Sequence, residues 1–406
     1  MSPDKGMANL FSWICEVLGT QGVEGIRSVV EKLLNEVMKA ERTEALQADP
    51  WERTETRRGY ANGFKPRSFH SRIGPLRLEV PQARGISFYP KSLERGCRSE
   101  VALKLSVAEM YVMGVSTRKI TEITEELCGF EISSGQVSRI AKSLDDELEK
   151  FRNRPLGEYP YIWLDARYEK VRHNGVVRDL ACLIATGVNW RGQREVLGVS
   201  VSLSEAEVHW KTFLKSLQSR GLSGIELIIS DDHDGLGAAR KAVFPSVKWQ
   251  RCQFHLTQNA LAYAPSVAIR AEIVDAMRDI FNARSKENAE DVIRSVVAEF
   301  EKKAPEFVTW LEENVAQGLT VFDFPKAHRR KIRTTNMLER ENREIRRRTR
   351  VASIFPNPDS CLRLVSAVLQ EIHEEWSTEK KYLNMELLKE QRQEKPIQKI
   401  YRKKVA

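Results

Sequence analysis

The chain has 406 residues, enough for two or three domains, and 41% of them are hydrophobic and 30% charged. This composition excludes wholesale disorder, and no apolar run approaches the ~20 residues of a membrane span. Lys and Arg number 65 against 56 Asp and Glu, so the formal net charge is +9, which is compatible with a nucleic-acid partner. The six cysteines are scattered and no secretion signal opens the chain, so we expect a reduced, cytoplasmic protein.

Residues 1–50 are predicted to be helical, whereas the segment after them is predicted to contain a short strand. Residues 22–45 carry apolar side chains at helical spacing, which predicts an amphipathic helix that packs within the chain or against a second subunit. Trp51–Arg67 is rich in arginine, glycine and aromatic residues. Leu76, Leu78 and Val80 alternate with charged residues, which predicts a short strand that enters through a Gly-Pro turn and ends at Pro81. This small β element either contacts nucleic acid or forms a solvated surface hairpin.

Two helices separated by a break at Cys128-Gly129 are predicted within residues 100–150. The first follows Ser116 and the second follows Ser133 or Ser134, and apolar residues recur in both at i, i+3 and i+7. The second helix keeps polar side chains on its outer side, which is typical of the recognition helix of a helix-turn-helix. These side chains are Gln136, Arg139 and Lys142. A purely structural helix pair is the alternative.

From Tyr159 to Cys252 the predicted order is β-β-β-α-β-α-β, with a hairpin turn at Asn174-Gly175. Three meandering strands followed by α/β crossovers are the succession of a ribonuclease-H-like α/β domain. Residues 255–330 show no strand pattern and are predicted to be an all-helical insertion. Residues 326–350 then carry eleven Lys and Arg against three Glu, and residues 359–376 form another amphipathic helix.

Three carboxylates are the candidate catalytic residues. Asp165 lies within an apolar strand, where an unpaired carboxylate is costly unless something binds it. Asp231 follows the buried strand 227–230, and ligand sites of α/β sheets lie at the carboxyl ends of strands. Glu339 lies in the basic helix after the insertion. Three such acids can hold two Mg²⁺ ions for phosphodiester transfer.

Each acid also has a purely structural interpretation. Asp165 could pair with Arg167 or Arg172. Asp231 could cap the next helix, a role for which Asp232 and Asp234 compete with it. Asn336 and Glu339 have the spacing of a capping box, in which Glu339 would hold only the helix start.

The segment Ile332–Arg350 resembles the TN-x-x-E-x-x-N block of the mutator-type transposases of bacterial insertion sequences, which are DDE recombinases with a ribonuclease-H-like core. The resemblance runs from about Arg53 to Trp376. It implies that Glu339 is the third catalytic acid and Asn342 a supporting residue. The blocks around Asp165 and Asp231 resemble those of the first and second acids. In the family the second acid directly follows a serine, which points to Asp231 rather than Asp232.

The segment Arg251–His255 is similar to the C-x-x-H motif that follows the second acid in the family. Cys252 and His255 are therefore expected to support the active site. No second Cys/His pair lies at usable spacing, so no zinc is expected. The resemblance implies Mg²⁺ as the cofactor, two ions held by Asp165, Asp231 and Glu339, with Mn²⁺ able to substitute.

The resemblance implies double-stranded DNA as the partner, both the terminal inverted repeats of the element and the target, and a homodimer on DNA. The protein is expected at the bacterial nucleoid in the cytoplasm, with no membrane partner. The arginines near Glu339 would neutralise phosphates. They are Arg333, Arg340, Arg343, Arg346 and Arg347. Trp310, in the insertion, would stack on an unpaired base or pack in the core.

The predicted organisation has six parts. The first is an N-terminal helical segment, 1–50, for which dimerisation and packing within the chain are the two alternatives. The others are a DNA-binding region (51–150), the first part of the core (155–254), the helical insertion (255–330), the last core helices with the third acid (331–377) and a charged tail (378–406). The alternatives to an active transposase are a catalytically inactive, transposase-derived DNA-binding protein and a nuclease that acts on RNA–DNA hybrids.

Overall fold

The computed structural model describes residues 3–93, 95 and 99–393. Two compact units divide the chain, Met1–Ser143 and Leu144–Ala406. No helix in the described ranges is long and apolar enough to cross a membrane. Residues 394–406, which belong to the predicted charged tail, lie outside the described residues.

The first unit opens with helices α1 (Pro3–Gln21) and α2 (Ile26–Leu46). Helix α2 matches the predicted amphipathic helix, since Met38 on its inner side is 1% exposed. On its outer side Ile26, Leu33 and Val37 stay 37–45% exposed. The helix thus buries one stripe within the unit and leaves a second apolar stripe in contact with solvent.

The small β element is a two-stranded antiparallel hairpin, β1 (Tyr60–Ser71) and β2 (Gly74–Arg84). The prediction that the strand ends at Pro81 is wrong, because β2 continues to Arg84 with Pro81 opposite Phe64. In a two-stranded sheet every strand has a free edge, so a proline can lack its N–H there without breaking the ladder. The inner side of β2 packs on Met38 of α2.

Three short helices complete the first unit: α3 (Val101–Val112), α4 (Thr117–Cys128) and α5 (Ser134–Lys142). The side chains of Ser116 and Ser133 cap α4 and α5, as predicted. Gly129 ends α4 with φ +66°, a conformation that glycine adopts without strain. A common apolar core joins the three helices.

The second unit is built on a five-stranded mixed sheet with the order β5-β4-β3-β6-β7. Strands β3, β4 and β5 are antiparallel neighbours, whereas β6 and β7 run parallel to β3. The elements follow the predicted order β-β-β-α-β-α-β. They are β3 (Tyr161–His173), β4 (Val176–Val188), β5 (Arg194–Ser202), α7 (Glu207–Ser219), β6 (Leu227–Ser230), α8 (Asp234–Val243) and β7 (Lys248–Arg251). Helix α6 (Asp145–Asn153) precedes them.

Helices cover both faces of this sheet. Ile162 and Leu164 of β3 point to one face, where they share a buried core with α7 and α8. Asp165 belongs to the opposite face because side chains alternate along a strand. On that opposite face Asn342, in the helix Asn336–Ala352, bonds to Asp165, and Cys361, in the helix Pro358–Thr378, contacts Cys182 of β4.

Residues 253–378 are largely helical, as the lack of a strand pattern predicted. The helices are α9 (Gln253–Ala260), α10 (Val267–Phe281), α11 (Lys286–Phe300), α12 (Pro305–Asn314), α13 (Lys326–Ile332), α14 (Asn336–Ala352) and α15 (Pro358–Thr378). The basic segment is thus two helices with a turn at 333–335. After α15 the chain still contributes to the core, since Leu383, Met385 and Leu388 are 2–4% exposed.

Candidate active site and nucleic-acid contacts

Asp165 lies in the middle of β3, opposite Ile184 of β4. Its Oδ2 accepts a hydrogen bond from Nδ2 of Asn342 at 2.6 Å. Burial raises the pKa of Asp165 to about 6, against the lowering effect of the Asn342 hydrogen bond. Arg167 pairs with Glu169 instead, so Asp165 has no ion-pair partner in the described part of the chain.

Asp231 lies beside Asp165. Strands β3 and β6 are parallel, and Trp163 is in register with Ile229. Asp165 and Asp231 each follow this pair by two residues, Asp165 within β3 and Asp231 directly after the end of β6. The two acids therefore come at corresponding positions along adjacent strand directions, which are ~4.8 Å apart.

The structural alternative for Asp231 is not realised. Helix α8 begins at Asp234, and its N-cap is His233, which forms no side-chain cap bond. Asp232 instead pairs with Arg251 at 2.9 Å, and Arg251 is 3% exposed. Asp232 therefore serves the packing of β7, whereas Asp231 is left half-buried beside the first acid.

Glu339 lies in the first turn of α14 and is half-buried. The capping-box alternative is wrong, because the N-cap of α14 is Thr335 rather than Asn336 and no side-chain cap bond forms there. Asn342, which bonds to Asp165, lies one helical turn after Glu339 and so on the same side of α14. Helix α14 thus brings Glu339 to the sheet face that carries Asp165.

The three acids lie on elements that meet, but they do not form a closed metal site. Among the described residues no three Asp, Glu, His or Cys side chains converge closely enough to hold one ion. The available ligands are carboxylate oxygens, which suit Mg²⁺. Asp165 is a largely buried carboxyl with no ion-pair partner among the described residues, a situation that a bound divalent cation would relieve.

Cys252 and His255 flank the second acid. Nδ1 of His255 is 3.8 Å from Oδ1 of Asp231. A hydrogen bond with Cys252 raises the pKa of His255 to about 9, and the charges of Asp231 and Asp165 act in the same direction. His255 is therefore cationic at neutral pH and lies beside both aspartates.

Sequence reasoning missed Glu341. This residue is 1% exposed, and neither of its carboxyl oxygens has a hydrogen-bond partner among the described residues. Burial raises the pKa of Glu341 well above its ordinary value. The helical period contains the signal, because Leu338, Glu341 and Ile345 share the buried side of α14.

The predicted phosphate contacts on α14 are on its outer side. Arg340, Arg343, Arg346 and Arg347 are exposed. Arg347 pairs with Glu344 at 2.7 Å. Arg333, in the preceding turn, is half-buried and donates to Oδ1 of Asn282 at 2.9 Å.

Arg348 differs from these arginines, although it belongs to the same basic run. It is 6% exposed and forms ion pairs with Glu344 and Glu371. Arg348 thus holds α14 to α15 and is not available to DNA.

On α5, Arg139 and Lys142 are exposed, whereas Gln136 already has a structural partner. Oε1 of Gln136 accepts from the N–H of Ser133 at 2.9 Å, which completes a capping box with that residue. The sequence reasoning gave Gln136 a role in base contacts and overlooked this spacing of Ser133 and Gln136.

Trp310 lies on α12 and packs among the helices that follow β7. It is 7% exposed, and its ring stacks on Tyr263 with centroids 5.7 Å apart. This position corrects its assignment as a DNA contact and favours the core-packing alternative, because a buried ring offers no face to a base.

Comparison with known proteins shows which proteins the chain is similar to. Residues 13–379 match the family model described as "Transposase, Mutator family". The chain is 55% identical over 365 residues to "Transposase for insertion sequence element IS406" of Burkholderia multivorans, a match that covers 89% of this chain and 94% of that protein. It is 45% identical over 368 residues to "Transposase for insertion sequence element ISRM5" of Rhizobium meliloti, covering 90% and 92%. It is 37% identical over 365 residues to "Transposase for insertion sequence element IS256 in transposon Tn4001" of Staphylococcus aureus, covering 89% and 93%.

Proposed function

Because the chain belongs to the Mutator family of transposases, we propose that it binds the terminal inverted repeats of an insertion sequence and catalyses metal-dependent DNA cleavage and strand transfer. The observation that carries this proposal is the position of Asp165 in β3 and of Asp231 directly after the parallel neighbour β6, with Asn342 from the helix of Glu339 bonded to Asp165. In this proposal the second unit is a ribonuclease-H-like core with a helical insertion.

Asp165, Asp231 and Glu339 would hold two Mg²⁺ ions, and Mn²⁺ would substitute. When bound, such a pair activates a water or a 3′-hydroxyl and stabilises the leaving oxygen. Asn342 orients the carboxylate of Asp165 through their 2.6 Å hydrogen bond. His255, cationic and 3.8 Å from Asp231, is placed to contact a phosphate oxygen of the DNA.

The reaction has two steps at phosphorus. Water hydrolyses the phosphodiester at the end of the element and leaves a free 3′-hydroxyl on the element. That hydroxyl then attacks a phosphodiester of target DNA, so one bond forms as another breaks, and no covalent enzyme intermediate is needed. The exposed arginines of α14 neutralise the phosphates on both sides of the reacting one.

The first unit recognises the repeats in this proposal. Helices α4 and α5 act as a helix-turn-helix, with Arg139 and Lys142 of α5 facing the major groove. The hairpin adds exposed aromatic side chains, Tyr60 and Phe64, each beside an arginine. Because two ends must be joined to one target, the active form on DNA is at least a homodimer, for which the exposed apolar stripe of α2 is available.

A metal-rescue experiment tests this proposal. The substrate is DNA that carries the inverted repeats flanking the gene, with a single phosphorothioate at the scissile position. We expect wild-type protein with Mg²⁺ to cut the normal phosphate, to be at least tenfold slower on the phosphorothioate, and to recover with Mn²⁺.

Three results would contradict the proposal. They are cleavage that is unaffected by EDTA, cleavage of RNA–DNA hybrids without regard to the repeat sequence, and tight repeat binding with no cleavage in either metal.

A further inference from the structure

Cys252 lies at the end of β7, and its sulfur atom bonds to the residue that begins α14. Both the backbone N–H and the Oγ1 of Thr335 lie 3.3 Å from Sγ of Cys252. Cys252 is 0% exposed and Thr335 is 2% exposed. Thr335 is the N-cap of α14 but forms no side-chain cap bond within that helix. Its hydroxyl therefore serves the contact with Cys252.

Both ends of this contact lead to proposed catalytic acids. The carbonyl of Thr335 accepts a hydrogen bond from the N–H of Glu339 at 3.3 Å. The N–H of Cys252 donates to the carbonyl of Ser230, the residue before Asp231, at 2.8 Å. One chain of hydrogen bonds thus runs from Ser230 through Cys252 and Thr335 to Glu339.

A second bond ties the same turn to the strand of the first acid. Nε1 of Trp163 donates to the carbonyl of Thr334 at 3.1 Å. Trp163 is 0% exposed and stands two residues before Asp165, on the same face of β3. The turn 333–335 is therefore joined to the elements of all three acids.

We propose that Cys252 is a positioning residue for DNA cleavage, because its sulfur fixes Thr335 and thereby sets where Glu339 stands relative to Asp165 and Asp231. This inference rests on the proposed function. A sulfur atom meets both donors of Thr335 at 3.3 Å, whereas an oxygen would have to meet them at ~2.9 Å. Removing the sulfur leaves a buried N–H and a buried hydroxyl without a partner, so the turn loosens.

The test compares Cys252→Ala with Cys361→Ala in the full chain. Cys361 is a matched control, since it is also free and 0% exposed, and its sulfur faces Cys182 on the α15 side rather than the turn. Hydrogen–deuterium exchange of the peptide covering 333–340 is measured without DNA or metal. Cleavage is measured as a function of Mg²⁺ concentration.

We expect Cys252→Ala to raise amide exchange of 333–340 at least tenfold, to lower the cleavage rate at least tenfold and to raise the half-saturating Mg²⁺ concentration. Cys361→Ala should stay within twofold of wild type in all three. Thr335→Ser, which keeps the hydroxyl, should stay near wild type, and Thr335→Val should move in the direction of Cys252→Ala. If Cys252→Ala does not fold, the comparison of Thr335→Ser with Thr335→Val tests the inference instead.

Equal exchange of 333–340 in the two cysteine variants would overturn the inference, as would raised exchange with unchanged cleavage and Mg²⁺ dependence. If wild-type protein itself fails to cleave, that failure belongs to the proposed function. The exchange measurement, which needs no activity, then still decides whether Cys252 fixes the turn.

Discussion

At the scale of single residues, Asp165 shows what the site costs the folded protein. Its carboxyl group is largely buried and accepts one hydrogen bond, from Asn342, and it has no ion-pair partner among the described residues. A carboxylate in such a place opposes folding unless a cation joins it. The residue therefore makes sense as a ligand, and its stability effects should differ from those of an ordinary surface aspartate.

Asp165→Asn should stabilise the metal-free protein above pH 7. The pKa of Asp165 is raised from 3.8 to about 6, so the folded state binds the proton more tightly and wild-type stability falls as pH rises through that window. At 1.36 kcal/mol per pKa unit, the asparagine should gain up to about 3 kcal/mol at pH 7.5 and little at pH 4. Urea unfolding at the two pH values, without divalent cations, measures this.

The control for that experiment is Asp232→Asn, which removes the partner of buried Arg251 and should lower stability at pH 7.5. Adding Mg²⁺ should narrow the gap between wild type and Asp165→Asn, because the ion stabilises only the protein that binds it. A destabilised Asp165→Asn protein at pH 7.5 would show that the carboxylate is already compensated within the chain.

At the scale of elements, α14 separates two roles along one basic run. Its outer side carries Arg340, Arg343 and Arg346 in solvent, whereas Arg348 is buried between Glu344 and Glu371. Composition alone treats these residues as equivalent. The helical period divides them into candidate phosphate contacts and a structural tie to α15.

Arg343→Ala should weaken DNA binding and make its salt dependence shallower. Each phosphate contact contributes about 0.9 to the slope of log affinity against log salt concentration, so the slope should fall by about that amount. Arg348→Ala is the matched control, which should lower the melting temperature and leave the slope unchanged. Binding titrations between roughly 50 and 300 mM salt measure this slope. An unaltered slope for Arg343→Ala would show that Arg343 does not contact a phosphate.

Some elements of the second unit could be predicted from local sequence patterns and others could not. The order of strands and helices from Tyr161 to Arg251 follows from apolar periodicity and the Asn174-Gly175 turn, which are local signals. The break at 333–335 has no comparable local signal. It is held by Trp163 and Cys252, residues about 170 and 80 positions away, so only the folded chain reveals it.

Some features of the candidate site could likewise be predicted from the sequence, whereas others required the structure. Asp165 could be selected from its apolar strand, Asp231 from the end of a strand and Glu339 from the resemblance, and their catalytic roles stay predictions. The exclusion of a capping box at Asn336 needed the observed start of α14. The burial of Trp310 likewise depends on how the helices pack. The side chain of Gln136 could either contact DNA or cap α5, and only the structure shows that it caps the helix.

At the scale of the whole molecule, the proposed recognition elements and the proposed catalytic acids lie in different units of the chain. The first unit holds the hairpin and the helix pair α4–α5, and the second holds the three acids and the arginines of α14. Loss of chemistry should therefore be separable from loss of repeat binding. This separation makes variants of the second unit informative, because a loss of cleavage with repeat binding kept points to the chemistry rather than to recognition.

The most direct measurement is cleavage at the repeat end by four variants arranged in matched pairs, with repeat binding measured on the same samples. Asp231→Asn is paired with Asp232→Asn, and Glu339→Gln with Glu341→Gln. We predict that Asp231→Asn and Glu339→Gln lose cleavage by at least about a thousandfold while binding is kept, since each removes a proposed metal ligand. Asp232→Asn and Glu341→Gln should keep it within tenfold, because Asp232 serves Arg251 and the burial that raises the pKa of Glu341 favours the neutral form that glutamine mimics. Cleavage that survives in Asp231→Asn or Glu339→Gln, or that is lost equally within a pair, would contradict the assignment of the three acids.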